Sequence, residues 1–244
     1  SYLDGSANED LLLMSNIKYA ENTTDHIFRL NTASNFENII LDNCYFEVVK
    51  DKALLAYIND GRQSSNFIMK NCDCKITTKG TIVSTRNTPI VKIVLENNVI
   101  FNDSQSAVLA IVDYTGSNLT EIDNLNLDNN TFYNVYAPGS TQGYVRAKTV
   151  SNLTVTDNLF YDCTTTYHSY IYYSSVTVTN PSANHNVNSE NNSNKVYIVN
   201  GSSPTGVANP TFTNWDFPLT SWDPSNGKYI ISGAYQSDYY GATR

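Results

Sequence analysis

The chain has 244 residues, of which 41% are hydrophobic and only 16% are charged, and its formal net charge is −8. This length and apolar content allow a substantial core, in one large domain or two small ones. The acidic charge and the lack of any basic run exclude the electrostatic footprint of a nucleic-acid-binding protein.

Residues 1–10 lack a charged segment followed by an apolar one, and no apolar stretch reaches the length of a membrane span. We therefore expect a soluble, already processed chain without a membrane span. Asn, Ser and Thr dominate the polar residues, which suits strands and turns better than surface helices. Together with 18 tyrosines, this composition is typical of secreted or surface proteins.

One motif occurs five times, at 39–46, 67–74, 93–100, 125–132 and 153–160. Two apolar positions alternate with polar ones, a polar doublet follows, and a further apolar residue ends the motif. The two leading columns are Ile39, Phe67, Ile93, Leu125 and Leu153, then Leu41, Met69, Leu95, Leu127 and Val155. Alternation predicts strands, and strands that recur at this period must stack to bury their apolar face.

The third column of the motif contains small side chains, and the fourth contains mostly large ones. The third contains Cys44, Cys72, Asn98, Asn130 and Asn158, and the fourth contains Phe46, Cys74, Ile100, Phe132 and Phe160. Inward amides at a tight bend can bond to one another and to the backbone of adjacent coils. We therefore predict a buried structural Asn ladder and not a ligand site.

Further strand-like runs lie between the copies, at 53–58, 81–84, 107–112, 144–148 and 170–173. With a short strand after each doublet, the pattern predicts about three strands per coil. The expected fold class is all-β, a right-handed parallel β-helix.

The ends of the repeat are less regular. Leu11, Leu13 and Asn16 fall 28 residues before the first copy, so we expect an earlier coil in that register. Val176 and Val178 are expected to begin a later coil.

The domain prediction is a β-helix over 1–203 and an irregular closing segment over 204–244 that packs on it, so that the whole forms one domain. Asn- and Ser-rich loops precede the closing segment, which contains both tryptophans, Trp215 and Trp222.

The cysteines Cys44, Cys72, Cys74 and Cys163 do not have the spacing of a zinc knuckle or of a redox motif, so we expect no metal at these thiols. Cys44 and Cys72 fall on successive coils, about 4.8 Å apart, which is within the range of a disulfide. We favour buried free thiols.

The motif, clearest as LNLDNNTF at 125–132 and LTVTDNLF at 153–160, resembles the pectin-lyase-like superfamily of β-helices. The tail resembles the closing segment of uncharacterised β-helix proteins of gut glycan-degrading bacteria, through NPTF at 209–212, DFPL at 216–219, SGA at 232–234 and GATR at 241–244. Asn209 and Ala242 stand where those proteins usually have Asp. The resemblance covers about residues 36–244.

The resemblance implies an extracellular, outer-membrane-surface or periplasmic location and relatives among polysaccharide lyases, but activity does not follow from a fold. Lyases of this type need a base and a neutralising cation on the strand before the ladder strand. Alternation predicts that Tyr144, Arg146 and Lys148 point outward there, with Val145 and Ala147 inward. Arg146 and Lys148 are the weak catalytic candidates.

The predicted ligand-binding residues are Tyr144, Arg146, Lys148, Arg86, Tyr114, Tyr170 and Tyr172. Arg86 could extend a cationic strip, and the tyrosines, with Tyr57, could stack on sugar rings. Exposed basic residues on an accessible strand are also ordinary solubility features, and tyrosine is common on sheets. Both interpretations stay open.

The sequence contains no pattern that indicates a calcium site or the active site of a hydrolase. The carboxylates Asp113, Glu121, Asp123 and Asp128 are dispersed, so calcium is not indicated and we expect no cofactor. The motifs of β-helix hydrolases are missing, and His26, His168 and His185 are isolated.

The expected function is binding of a polysaccharide or oligosaccharide by a secreted or cell-surface β-helix, to which the sequence assigns no catalytic activity. The alternatives are a lyase acting on uronate-containing glycans and a structural or adhesin-like stalk. We expect the functional surface on the outward faces of the strands between the motif copies.

Overall fold

The computed structural model of the chain describes residues 8–19, 26–30, 35–49, 52–57, 66–85, 88–102, 107–114, 120–136, 143–161, 163, 169–172, 176–184, 187–188, 197–199, 219–223 and 228–231. All regular secondary structure in these residues is β-strand. The described part therefore contains no helix long and apolar enough to cross a membrane. The predicted class is confirmed: the chain is all-β and stacks three parallel sheets as a β-helix.

Each sheet takes strands from successive coils, and the strands are numbered in chain order. Sheet 1 contains β1 (Asn8–Ser15), β4 (Asn35–Asp42), β7 (Asn66–Lys70), β10 (Ile90–Glu96), β13 (Glu121–Asp128), β16 (Thr149–Thr156) and β19 (Thr177–Asn184). Sheet 2 contains β2 (Lys18–Tyr19), β5 (Tyr45–Val48), β8 (Asp73–Ile76), β11 (Val99–Phe101), β14 (Thr131–Tyr133), β17 (Leu159–Tyr161) and β20 (Val187–Asn188). Sheet 3 contains β3 (Phe28–Leu30), β6 (Lys52–Tyr57), β9 (Lys79–Thr85), β12 (Ala107–Tyr114) and β15 (Val135–Tyr136).

The strand registers confirm the apolar columns of the repeat. The first column runs in register from Ile39 on β4 to Leu153 on β16, and the second and fourth columns align in the same way. All members of these columns are buried. Because side chains alternate along a strand, the residues between the columns point outward.

The third column forms a continuous hydrogen-bonded ladder inside the helix. The Nδ2 of Asn98 donates to Oδ1 of Asn130 at 2.9 Å, and Asn130 donates in the same way to Asn158 at 3.0 Å. Each of these amides also donates to a backbone carbonyl of the preceding coil. Each Oδ1 accepts the backbone N–H of the preceding column member. The predicted structural ladder is confirmed.

Cys44 and Cys72 occupy the same column and reproduce these contacts with sulfur. The backbone N–H of Cys44 donates to Sγ of Cys72 at 3.4 Å, and the Cys72 thiol donates to the carbonyl oxygen of Leu41 at 3.6 Å. The Cys44 thiol donates in the same way to the carbonyl oxygen of Met14. All four cysteines are free and buried, which confirms the preference for free thiols over a disulfide.

The residue before each ladder position has a left-handed backbone conformation. The φ angles are between 52° and 57° at Asn16, Asn43, Asn71, Asn97, Asn129 and Asp157. Asn and Asp tolerate this conformation because their short polar side chains bond locally. Several of these side chains form a second, outer ladder, in which Asn97 donates to Asn71 at 2.7 Å. In each polar doublet, the first residue makes the turn of the chain, and the side chain of the second residue forms hydrogen bonds inside the helix.

Stacked aromatic rings fill the core beside sheet 2. The rings of Phe132 and Phe160 are nearly parallel, with centroids 4.8 Å apart. Tyr144 adds a third ring, 5.6 Å from Phe132. Such pairs contribute about 0.5–1.5 kcal/mol beyond the burial of their area.

Strand β1 extends sheet 1 as expected, but in a register one residue away from the predicted one. Leu12 and Met14 continue the inward columns, while Leu11 and Leu13 are 50% and 57% exposed. The predicted offset of 28 residues is wrong because the offset to β4 is 27 residues. A slip of one residue moves every side chain to the opposite face. Asn16 is accordingly a left-handed turn residue and not a ladder residue.

Most of the other predicted strands are confirmed. The runs at 53–58, 81–84 and 107–112 fall on β6, β9 and β12, and the coil expected at Val176 and Val178 contains β19. The run at 144–148 is not a strand, since it forms only an isolated bridge between Val145 and Val112. The run at 170–173 falls on β18 (Ser169–Tyr172), which pairs with β21 (Tyr197–Val199).

Within the predicted closing segment 204–244 the structure describes an antiparallel pair. Strands β22 (Leu219–Asp223) and β23 (Lys228–Ile231) place Trp222 opposite Tyr229. Trp215 and most of the tail motifs lie outside the described residues. The packing of this segment on the helix stays a prediction.

Replacing Asn130 by alanine should lower the free energy of unfolding by about 3 kcal/mol, because the substitution leaves several buried ladder partners without a hydrogen bond. Asn130→Cys should lower it less, since sulfur occupies the same position in two other coils. Urea unfolding followed by circular dichroism measures both changes.

The matched control is Asn126→Ala on the outer face of the same coil. The side-chain oxygen of Asn126 is buried without a hydrogen-bond partner in the described part of the chain. Its removal breaks no hydrogen bond at that atom, so the change should stay within about 0.5 kcal/mol. Equal decreases in the free energy of unfolding for Asn126→Ala and Asn130→Ala would contradict the structural role of the ladder.

Candidate functional site

Tyr144 does not point outward as predicted. Its exposed fraction is 0%, and its hydroxyl donates to the carbonyl oxygen of Val135 at 2.8 Å. The prediction of its orientation is wrong because residues 144–148 form no regular strand, so alternation does not apply to them. The ring instead continues the aromatic stack of Phe132 and Phe160.

Arg146 and Lys148 reach the surface, and each lies against a carboxylate. The Nη1 of Arg146 is 2.8 Å from Oδ1 of Asp113, and the Arg146 side chain is 24% exposed. The Nζ of Lys148 is 2.8 Å from Oε1 of Glu121, and the Lys148 side chain is 59% exposed. The two cations are therefore largely neutralised by their neighbours, and they do not form an open cationic strip.

The remaining predicted ligand residues cannot be placed on a surface. Arg86 lies outside the described residues. Tyr114, Tyr170 and Tyr172 lie on strands β12 and β18, and their side chains are outside the described part. Their ligand-binding role stays a prediction. Tyr57 on β6 is buried.

Sheet 3 offers little open surface for a ligand. Three pairs of consecutive residues are fully buried: Leu54 with Leu55, Ile82 with Val83, and Ile111 with Val112. Because successive side chains of a strand point to opposite faces, both faces of the sheet are covered along these residues. The strand faces expected to carry function are therefore buried at these six residues, and for the rest of these strands the expectation stays a prediction.

The outer face of sheet 1 is open instead, and its last three described strands carry only neutral polar groups in two columns. One column contains Asn124, Asn152 and Asn180, and the other contains Asn126, Thr154 and Ser182. We call these six residues the polar patch. Successive strands of a sheet are about 4.8 Å apart, so the same kind of group recurs at that interval along the helix axis.

The first column of the polar patch is fixed by its own hydrogen bonds. Asn180 donates to Oδ1 of Asn152 at 2.9 Å, and Asn152 donates to Oδ1 of Asn124 at 3.1 Å. Asn124 and Asn152 also donate to backbone carbonyls of Val91 and Asp123 in the preceding coils. This column is an external ladder that holds its amides in a defined orientation.

The second column is more varied, with one amide at Asn126 and hydroxyl groups at Thr154 and Ser182. The side-chain oxygen of Asn126 is buried and has no hydrogen-bond partner among the described residues. Ser182 is exposed, and Thr154 is half-buried. The hydroxyl groups of Thr154 and Ser182 can donate and accept hydrogen bonds with a molecule that lies on the face.

The sequence signal for the polar patch is the residue between the two inward apolar columns. This residue is Ile40, Ile68 and Val94 in the first three copies and changes to Asn126 and Thr154 in the last two. The change is visible only when the outward positions are compared with one another.

The described residues contain no group of three or more His, Cys, Asp or Glu side chains that could hold a metal ion. The buried thiols also lack the character of reactive groups. Burial raises the pKa of the Cys72 thiol to about 12 and raises the pKa of Cys74 still further. A thiol of raised pKa is protonated at neutral pH and is a poor nucleophile or metal ligand.

No family model matches this chain, and no curated protein or solved structure matches it either. The structure shows a parallel β-helix, and the resemblance to the pectin-lyase-like superfamily stays a prediction. A glycan ligand, a lyase activity and a surface location remain predictions.

The raised pKa of Cys72 predicts that stability falls in alkali. Below pH 9, the usual value for the thiol, folded and unfolded chains both carry the proton. Between pH 9 and about 12 only the unfolded chain loses it, so the free energy of unfolding decreases as the pH rises through this window. Urea unfolding at pH 8, 9 and 10 measures the loss.

Cys72→Asn removes the thiol and supplies the ladder residue of the later coils, so it should reduce the alkaline loss. Burial also raises the pKa of Cys74, so the variant should keep part of the loss of stability in alkali. An identical pH dependence for the variant and the parent chain would refute the assignment to Cys72.

Proposed function

We propose that this chain is a secreted or cell-surface β-helix protein that binds polysaccharide through the polar patch, without cleaving it. The observation that carries the proposal is the open outer face of sheet 1, where an ordered ladder of Asn side chains lies beside the hydroxyl groups of Thr154 and Ser182. Sugar hydroxyls donate and accept hydrogen bonds and need partners of this neutral kind.

The regular spacing of the patch favours a polymer over a single sugar. Each coil presents one amide of the ordered column beside one neutral polar group of the second column. A chain of sugar units lying along the helix axis could repeat one contact in each coil, and repeated weak contacts on one chain add through effective concentration. The external Asn ladder keeps the face preorganised, which lowers the entropic cost of binding.

The charges around the predicted catalytic residues favour binding over uronate cleavage. A lyase needs a base and a cation available to the uronate carboxylate. Arg146 and Lys148 lie instead against Asp113 and Glu121, and the net charge of −8 opposes a polyanionic ligand. A purely structural stalk would not need an ordered row of amides beside hydroxyl groups on its outer face.

The double variant Thr154→Ala and Ser182→Ala should weaken polysaccharide binding about tenfold, since each lost hydrogen bond contributes about 0.5–1.5 kcal/mol. Affinity electrophoresis in gels that contain soluble glucans, xylans or mannans measures the dissociation constant. Lys148→Ala is the control for the site predicted from sequence, and this variant should leave the dissociation constant unchanged. Loss of binding in Lys148→Ala with full binding in the double variant would move the site to residues 144–148.

The lyase alternative has a separate test. Incubating the intact protein with a panel of uronate polysaccharides should give no rise in the ultraviolet absorbance of unsaturated chain ends. A rise that Arg146→Ala abolishes would establish the lyase and overturn the non-catalytic proposal.

A further inference from the structure

The outer face of sheet 1 changes character along the helix axis. Before the polar patch, the column between the two inward columns is apolar on four successive strands, β1, β4, β7 and β10. It contains Leu13, Ile40, Ile68 and Val94. We call these four residues the apolar stripe. Leu13 is exposed, Ile40 and Ile68 are half-buried, and Val94 is covered by its neighbours.

The apolar stripe is contiguous and has polar flanks, which is the pattern of an interaction surface and not of scattered apolar residues. On one side of it lie Asn38 and Asn66, and on the other side lie Asp42 and Lys70. In the described part of the chain no ion pair joins Asp42 to Lys70, although the two residues are neighbours on adjacent strands.

The stripe and its flanks are complementary to themselves under a two-fold rotation. An axis parallel to the strands and midway between β4 and β7 lays a second copy face to face on the first. It brings Ile40 onto Ile68 of the copy, and Asp42 onto Lys70 of the copy. The same rotation places β1 opposite β10 of the copy, because the two strands are equidistant from the axis. Since Val94 on β10 is buried in its own chain, the apolar contact of the interface is the one between Ile40 and Ile68.

We propose that the apolar stripe is a homodimer interface and that its occupant is a second copy of this chain. An isologous interface must match itself under such a rotation, and on the two central strands Ile40 meets Ile68 while Asp42 meets Lys70. Two sheets packed in this way lie about 10 Å apart with their strands nearly aligned. Among the described strands, β13, β16 and β19 lie outside the overlap, so the polar patch stays open in such a dimer of the described part.

Sedimentation equilibrium of the intact chain tests the interface. At about 100 µM, where even weak complexes associate, the protein should be a dimer. Ile68→Lys should raise the dimer dissociation constant about tenfold or more, because it places a charge in the apolar centre. Thr179→Lys adds the same charge at an exposed position of β19 and should leave the constant unchanged.

The charge pair supplies a second test that does not depend on the apolar centre. Asp42→Lys and Lys70→Asp should each weaken the dimer, because each brings like charges together, and the combination should restore it. Thermal unfolding of each variant shows whether it is folded. A monomeric parent chain at about 100 µM, or a dimer that is unaffected by Ile68→Lys and by both charge reversals, overturns the proposal.

Discussion

The structure depends on one constraint, the need to satisfy polar groups at the same tight turn of every coil. The ladder side chain must accept an N–H from the coil before it and donate to a carbonyl of that coil. Only a side chain of the right length can do both, so the coils stack in one register. That register aligns the apolar columns, the stacked rings and the outer faces of sheet 1.

The same turn shows how two different chemical groups serve one role. Asn98 and Asn130 use an amide nitrogen and an amide oxygen, whereas Cys72 uses a single sulfur as donor and acceptor. Sulfur makes longer and weaker hydrogen bonds than oxygen. The first coils therefore rely more on apolar packing of their thiols, and the later coils rely more on polar pairing.

The parts of the fold that repeat could be predicted from the sequence, and the parts that depend on one coil could not. Alternation and period fixed the columns from Ile39 to Phe160 because each copy supports the others. Leu11 was assigned to the wrong face because a single offset of 27 residues has no second copy to correct it. Tyr144 was misplaced because its position depends on the ring of Phe132, a contact that no local pattern encodes. The polar patch was missed because outward residues change from coil to coil.

The direction of the hydrogen bonds between coils has a mechanical consequence. All three sheets are parallel, so their backbone bonds run along the axis of the helix and join each coil only to its neighbours. A force that pulls the whole rod apart loads the bonds of three strands at once. A force applied through one chain end loads a single strand and peels it away before the next one is stressed. The protein should therefore resist tension across its length and yield from its ends, one coil at a time.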